Sequence, residues 1–137
     1  MGRMNLLEAT EAQECIAFLD WCALVSFDGV PLIERVVKIP NERNKRSVMT
    51  AVLAKLGMRR GFPDYVILVP MADWHGLFLE AKRATRGKVD REQEEWRDRL
   101  RSWGYAAEIC AGASEMIRAT RNYFGGSAGR FVDRTTA

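Results

Sequence analysis

Two short stretches of this chain combine residue types that could hydrolyse a phosphodiester: Pro63-Asp64, and further along Glu80-Ala81-Lys82. On a strand, residues two apart share a face. Glu80 and Lys82 therefore point the same way, while Leu77, Leu79 and Ala81 can supply the core contact on the other side. Asp64 opens the preceding strand-like run, so hairpin pairing would bring its carboxylate close to Glu80. Two carboxylates so placed repel each other unless a divalent cation sits between them. Such a cation polarises a phosphate and acidifies a bound water, and a lysine in reach orients that water or balances developing charge. A bare E-x-K triplet also fits an exposed strand face carrying a Glu–Lys surface pair. The preceding Pro-Asp, and the basic turn Met58-Arg59-Arg60-Gly61-Phe62-Pro63 before it, set this one apart.

Two more polar residues stand where apolar ones are expected. The first helical stripe runs Cys15, Phe18, Leu19, Cys22, and Glu11 falls near its centre at 100° per residue, whereas Glu14 lies further round, toward solvent. An acid turned inward is costly unless paired or bound to metal, although carboxylates are favoured in a first helical turn anyway. The stripe Trp96-Leu100-Trp103 extends backward to Gln93, which could reach a phosphate or a bound water at the site edge, or could simply end an amphipathic helix. His75 is the single histidine, which excludes a multi-histidine zinc site and a His-based triad. No G-x-x-x-x-G-K-[ST] phosphate loop is present. Phe18, Trp21, Trp96 and Trp103 have helical spacing and read as core or dimer contacts.

Several elements must position these groups. Thr10-x-x-Gln13 reads as a capping box opening a first helix. Asp28-Gly29 breaks the chain, and a β-rich segment spans residues 32–39 up to Pro40-Asn41. A second helix is expected over 44–56 with Gly57 as its C-cap. Strands over 64–69 and 77–83 form a hairpin across the turn 73–76. Asp90 caps a strongly charged helix that ends at Gly104. A short strand over 105–110 and a helix over 114–124 follow. The glycine-rich segment 125–137 reads as a flexible tail outside a single domain over 1–124. The order α-β-α-β-β-α-β-α predicts an α/β fold, a small mixed sheet flanked by helices.

At 137 residues the chain is long enough to bury a core, and 47% apolar against 28% charged residues is an ordinary globular balance. No apolar run approaches membrane-spanning length. The N-terminus lacks the layout of a signal peptide, and three cysteines without a C-x-x-C support neither a disulfide framework nor a cysteine-rich zinc site, so a cytoplasmic location is expected. The net charge is only +3, but its distribution is uneven. Residues 1–34 hold acids against the lone base Arg3. Residues 35–60 hold Arg35, Lys38, Arg43, Lys45, Arg46, Lys55, Arg59 and Arg60 against Glu42, and a second basic block surrounds Lys88. Acids set between basic blocks suit a protein that grips a polyanion and holds a cation; a mixed solvated surface is the plainer alternative.

The ordered set Gly57-Met58-Arg59-Arg60-Gly61-Phe62-Pro63-Asp64, Leu79-Glu80-Ala81-Lys82, Gln93 and Gly104-Tyr105 resembles the virus-type replication-repair nuclease (VRR-NUC) domain of the PD-(D/E)XK nuclease superfamily. Ile39-Pro40-Asn41-Glu42 also looks family-like. The resemblance covers about Thr10 to Phe124 and implies a stand-alone domain with a restriction-endonuclease-like core. It implies that Asp64 and Glu80 are metal ligands, helped by the Ala81 carbonyl, and that Lys82 is the catalytic lysine. Glu11 and Gln93 match the family's first-helix acid and its glutamine after the E-x-K strand. It further implies Mg²⁺ or Mn²⁺ as cofactor, and a homodimer acting on branched DNA such as four-way (Holliday) junctions. Asn41, Arg43, Lys45, Arg46, Arg59, Arg60 and Lys88, with Arg35 and Lys38, would contact DNA. Met116, Ile117 and Phe124 on the last helix are candidate dimer contacts. A non-catalytic DNA-binding module using the same basic blocks is the alternative, and a generic α/β interaction domain a third reading. Metal-dependent strand scission that EDTA stops separates the first from the others.

Overall fold

The computed structural model describes residues 6–40, 48–85 and 88–136. A first helix, α1 (Leu6–Leu24), leads to a hairpin of β1 (Ser26–Phe27) and β2 (Val30–Pro31). A 3₁₀ turn over Leu32–Arg35 and a short strand, β3 (Val36–Lys38), follow. Next come α2 (Val48–Lys55), β4 (Tyr65–Ile67), β5 (Leu77–Lys82), α3 (Arg91–Ser102), β6 (Ala106–Ala111), α4 (Gly112–Tyr123) and β7 (Phe131–Val132). The main sheet has the order β3-β4-β5-β6, with antiparallel pairing except for parallel β5–β6, whose crossover is α3. This is the expected mixed sheet flanked by helices. A smaller sheet, β2-β1-β7, stands beside it.

Alternation along β5 decides which helix covers which face. Leu77, Leu79 and Ala81, with Cys110 of β6, join Phe18, Trp21 and Cys22 of α1 and Met116 of α4 in one core. The opposite face, carrying Glu80, meets α3. Every residue of β5 except Phe78 is buried, so neither face of the strand is open to solvent as the sequence pattern suggests. Met116 and Phe124, candidates for an exposed dimer contact, are core residues, and Ile117 packs against them. All three cysteines are free; burial pushes the Cys22 and Cys110 thiols up to about 12 and raises that of half-buried Cys15.

Helix α1 already runs from Leu6 and does not start at a Thr10 cap, because Leu6, Leu7, Glu8 and Ala9 are all good helix formers. The 32–39 segment splits into the 3₁₀ turn and β3, with Leu32 buried in the core. Asp28 and Gly29 take left-handed conformations, the backbone that a two-residue hairpin turn requires. Asp90 begins α3 as expected. Gln93 returns the capping bond, its Oε1 accepting the Asp90 N–H at 3.0 Å. Acids at the start of α3 (Glu92, Glu94) and bases at its end (Arg99, Arg101) complement the helix dipole.

The connector before β4 is clamped to α3. Gly61 has φ +81, and a Cβ there would lie 2.8 Å from Glu92 Cβ and 3.1 Å from the Gln93 nitrogen. Phe62 meets Trp96 edge-on at 5.0 Å, and the Trp96 indole N–H bonds the Arg60 carbonyl at 3.1 Å. Gly61→Ala should therefore push the first turn of α3 away and destabilise the fold by roughly 1–3 kcal/mol. Urea denaturation measures this, and an unchanged midpoint would refute the clamp.

The segment after Gly125, expected as a flexible tail, is folded onto the domain. Its glycines make the turn that brings Phe131 back to stack on Phe124 at 4.7 Å, and β7 pairs with β1. Arg130 pairs with Asp28, Arg121 bonds Asp133 at 2.6 Å, and the Trp21 indole donates to Thr135 at 3.1 Å. Burial works to raise the Asp133 carboxyl, but hydrogen bonds from Thr135 and Arg121 outweigh it and hold the group below its ordinary 3.8. The Arg130 hydrogen bond lowers Asp28 likewise. A carboxyl lowered by folding favours docking above its ordinary value, and that contribution fades as pH falls through the folded value. Acid titration followed by Trp21 fluorescence should show the tail loosening below about pH 4, with Asp133→Asn removing most of the step.

Candidate active site

Asp64 is placed by β4. The Tyr65↔Leu79 register, continued by one residue, sets it across from Glu80. Its Oδ2 accepts the Ala81 N–H at 2.9 Å, so the carboxylate takes over where the β4–β5 ladder ends. The N–H and C=O of a strand residue point to the same edge, which puts the Ala81 carbonyl on the Asp64 side as well. Asp64 is 5% exposed and its partners fix its rotamer.

Glu80 is 2% exposed and Lys82 7%. The hairpin therefore brings Asp64, Glu80, Ala81 and Lys82 together at the end of β5, as the sequence spacing predicts. Gln93, itself 2% exposed, does not reach outward for a phosphate: its Nε2 donates to Glu80 Oε1 at 2.5 Å. The same carboxamide thus caps α3 through its oxygen and holds Glu80 through its nitrogen. An inward turn of α3 explains the difference, because the crossover from β5 lays its first turn over the Glu80 face.

Glu11 is half-buried on α1, one turn before Cys15. Cys15 feels the charges of Asp64, Lys38 and Glu11 together, and its thiol hydrogen-bonds with Tyr65. Glu14 differs from expectation. Rather than facing solvent, its Oε2 accepts the Ala113 N–H at the start of α4. Gly112, at φ +76, makes room for this, since a Cβ there would sit 2.7 Å from Glu14 Oε2 and 3.0 Å from Ala84 Cβ. Orphan N–H groups at the first turn of a helix attract a carboxylate, and Glu14 serves α4 in that way.

Lys38, expected among the phosphate contacts, meets a site carboxylate instead. Its Nζ lies 3.3 Å from Asp64 Oδ1 and 4.9 Å from the centre of the Tyr65 ring. Lys38 ends β3 and pairs with Tyr65, the neighbour of Asp64, a cross-strand register that local spacing does not reveal. Arg59 and Lys88 are exposed, Arg60 is exposed and paired with Glu92 at 2.9 Å, and Arg35 lies over the Phe27 ring. Asn41, Arg43, Lys45 and Arg46 lie outside the described residues. His75 packs on Tyr105, away from the carboxylates.

Among the described residues no three His, Cys, Asp or Glu side chains gather as a metal cluster. The groups that could hold a cation here are two buried carboxylates and a main-chain carbonyl. Hard oxygen donors in that small number suit Mg²⁺ or Mn²⁺, which keep several waters.

Comparison with known proteins bears on the fold and the family. A solved structure named "VRR_NUC domain protein" superposes with a TM-score of 0.76, covering 91% of this chain and 92% of that one at 22% identity; this likeness speaks to the fold. No curated protein matches. The VRR-NUC domain model matches residues 10–114, which include Glu11, Asp64, Glu80, Lys82 and Gln93. The chain belongs to the VRR-NUC family of nuclease domains.

Proposed function

We propose that this chain is a Mg²⁺- or Mn²⁺-dependent DNA endonuclease that works as a homodimer on branched DNA such as four-way junctions. One observation carries the reading: Asp64, pinned to the Ala81 N–H at 2.9 Å, stands across the hairpin from Glu80, with Lys82 two residues on. Asp64, Glu80 and the Ala81 carbonyl would hold the cation, and Glu11 would contribute from α1. When bound, the cation supplies Lewis-acid polarisation of a phosphate and a water of lowered pKa.

The chain's own groups do the rest. Gln93 fixes the Glu80 rotamer, leaving its charge for the site. Lys82, buried on the same strand two residues on, would orient an attacking water or neutralise charge as the phosphodiester bond breaks. Lys38 balances Asp64 and lies within reach of a phosphate at the same edge. Arg59, Arg60 and Lys88, together with Asn41, Arg43, Lys45 and Arg46, would track the DNA backbone.

Glu80→Gln and Lys82→Ala should each abolish Mg²⁺-dependent cleavage in a panel of labelled junction, flap, nicked and linear DNA, while binding stays near wild type. Cleavage at the wild-type rate by either variant would reject the site. Binding without any scission by the wild-type chain would leave the non-catalytic DNA-binding module as the better reading. Gln93→Ala is a separate probe of the Glu80 carboxylate. It should weaken Mn²⁺ binding by roughly 10–100-fold in a calorimetric titration without DNA. Unchanged Mn²⁺ affinity would remove Gln93 from the site.

A further inference from the structure

Strand β6 has a neighbour on one side only among the described residues. Its Ala106 N–H bonds the Gly76 carbonyl on the β5 side, so by alternation Ala107, Ile109 and Ala111 turn their backbone groups to the open edge. Two side chains cover the ends of that edge. Arg101 Nε donates to the Ala107 carbonyl at 3.1 Å, and Glu115 Oε1 accepts the Ala111 N–H at 3.0 Å. Between them runs a groove of about 540 Å³, lined by Arg101, Ile109, Glu115, Arg118 and Tyr123 among others. An open edge is a template for another strand, and these two residues cover it without pairing its centre.

The pattern is self-complementary. We infer that β6 pairs antiparallel with β6 of a second copy of this chain, about a two-fold axis at Ile109. In that register Ala107 of one protomer faces Ala111 of its partner, so the Ala107 carbonyl meets the very N–H that Glu115 now covers. The displaced Arg101 and the partner's displaced Glu115 then lie side by side, and the contact occurs twice. An isologous interface needs this kind of match, a patch complementary to itself. Within one protomer Arg101 also pairs with Glu108 at 3.1 Å; a peptide of unrelated sequence would offer Glu115 no such mate.

The inference deepens the homodimer of the proposed function and rests on it. It also fixes where the two sites would stand. Glu80 pairs with Ile109 in the parallel register, so the axis passes beside both carboxylates. They would lie on the same face of one continuous sheet, separated by three strand spacings, or roughly 14 Å.

Sedimentation of the full chain without DNA or metal tests this. The wild type should run at dimer mass. Arg101→Glu and Glu115→Arg should each weaken association at least about tenfold, because like charges then meet twice across the axis. The double swap should restore the dimer. Ile109→Pro, which removes only an outward N–H, should yield a monomer with an unchanged circular dichroism spectrum. A wild-type monomer overturns both this interface and the dimer. A dimer indifferent to both single swaps, or one the double swap fails to restore, overturns the interface alone. None of these readings depends on cleavage, so an inactive but dimeric chain would count only against the nuclease assignment.

Discussion

A carboxylate in the middle of a covered strand is the constraint around which the domain is arranged. Leaving Glu80 charged at 2% exposure is costly unless hydrogen-bond donors or a cation meet it. Gln93 of α3 supplies one such donor. Because Gln93 also caps that helix, the helix start and the carboxylate cannot shift independently. The clamp behind it is Gly61, whose missing Cβ lets the connector close on the helix at Gln93. A chain segment far from Glu80 in sequence thus sets its orientation, and the same segment delivers Asp64 to the next strand.

The two faces of the main sheet are built on different terms. One is closed by α1 and α4 over an apolar core that includes Leu79, Ala81 and Met116. The other is polar at β5 and aromatic beside it, where Phe62, Phe78, Trp96 and Tyr105 meet edge to edge. Those rings are half-buried and tie the connector, β5, α3 and the start of β6 to one another. The small β2-β1-β7 sheet stiffens the apolar side by returning the chain terminus to Trp21 and Phe124.

The sequence made legible whatever depends on local periodicity. The hairpin of β4 and β5, the shared face of Glu80 and Lys82, the Asp90 cap and the element order of the main sheet all follow from spacings within a few residues. Contacts that depend on how helices dock were not legible. The heptad-like stripe placed Gln93 on the covered face of α3, but nothing local said that its amide would meet Glu80. Glu14 looked solvent-facing because its partner, the start of α4, comes from the far end of the chain. The tail misled for a compositional reason: its glycines signalled freedom, whereas Phe131 carried the stronger instruction to stack on Phe124. Met116 and Phe124 misled because a short amphipathic helix does not declare which of its faces meets the sheet.

The fate of the three cysteines has a practical side. With Cys22 and Cys110 held near 12 by burial and Cys15 also raised, the thiolate form that oxidants and electrophiles attack is scarce at neutral pH. The chain therefore carries no ready handle for alkylation, and a cysteine engineered onto its surface would react almost alone. One fluorescent or spin label per protomer then becomes a ruler, reporting the separation between copies without any native thiol having to be removed.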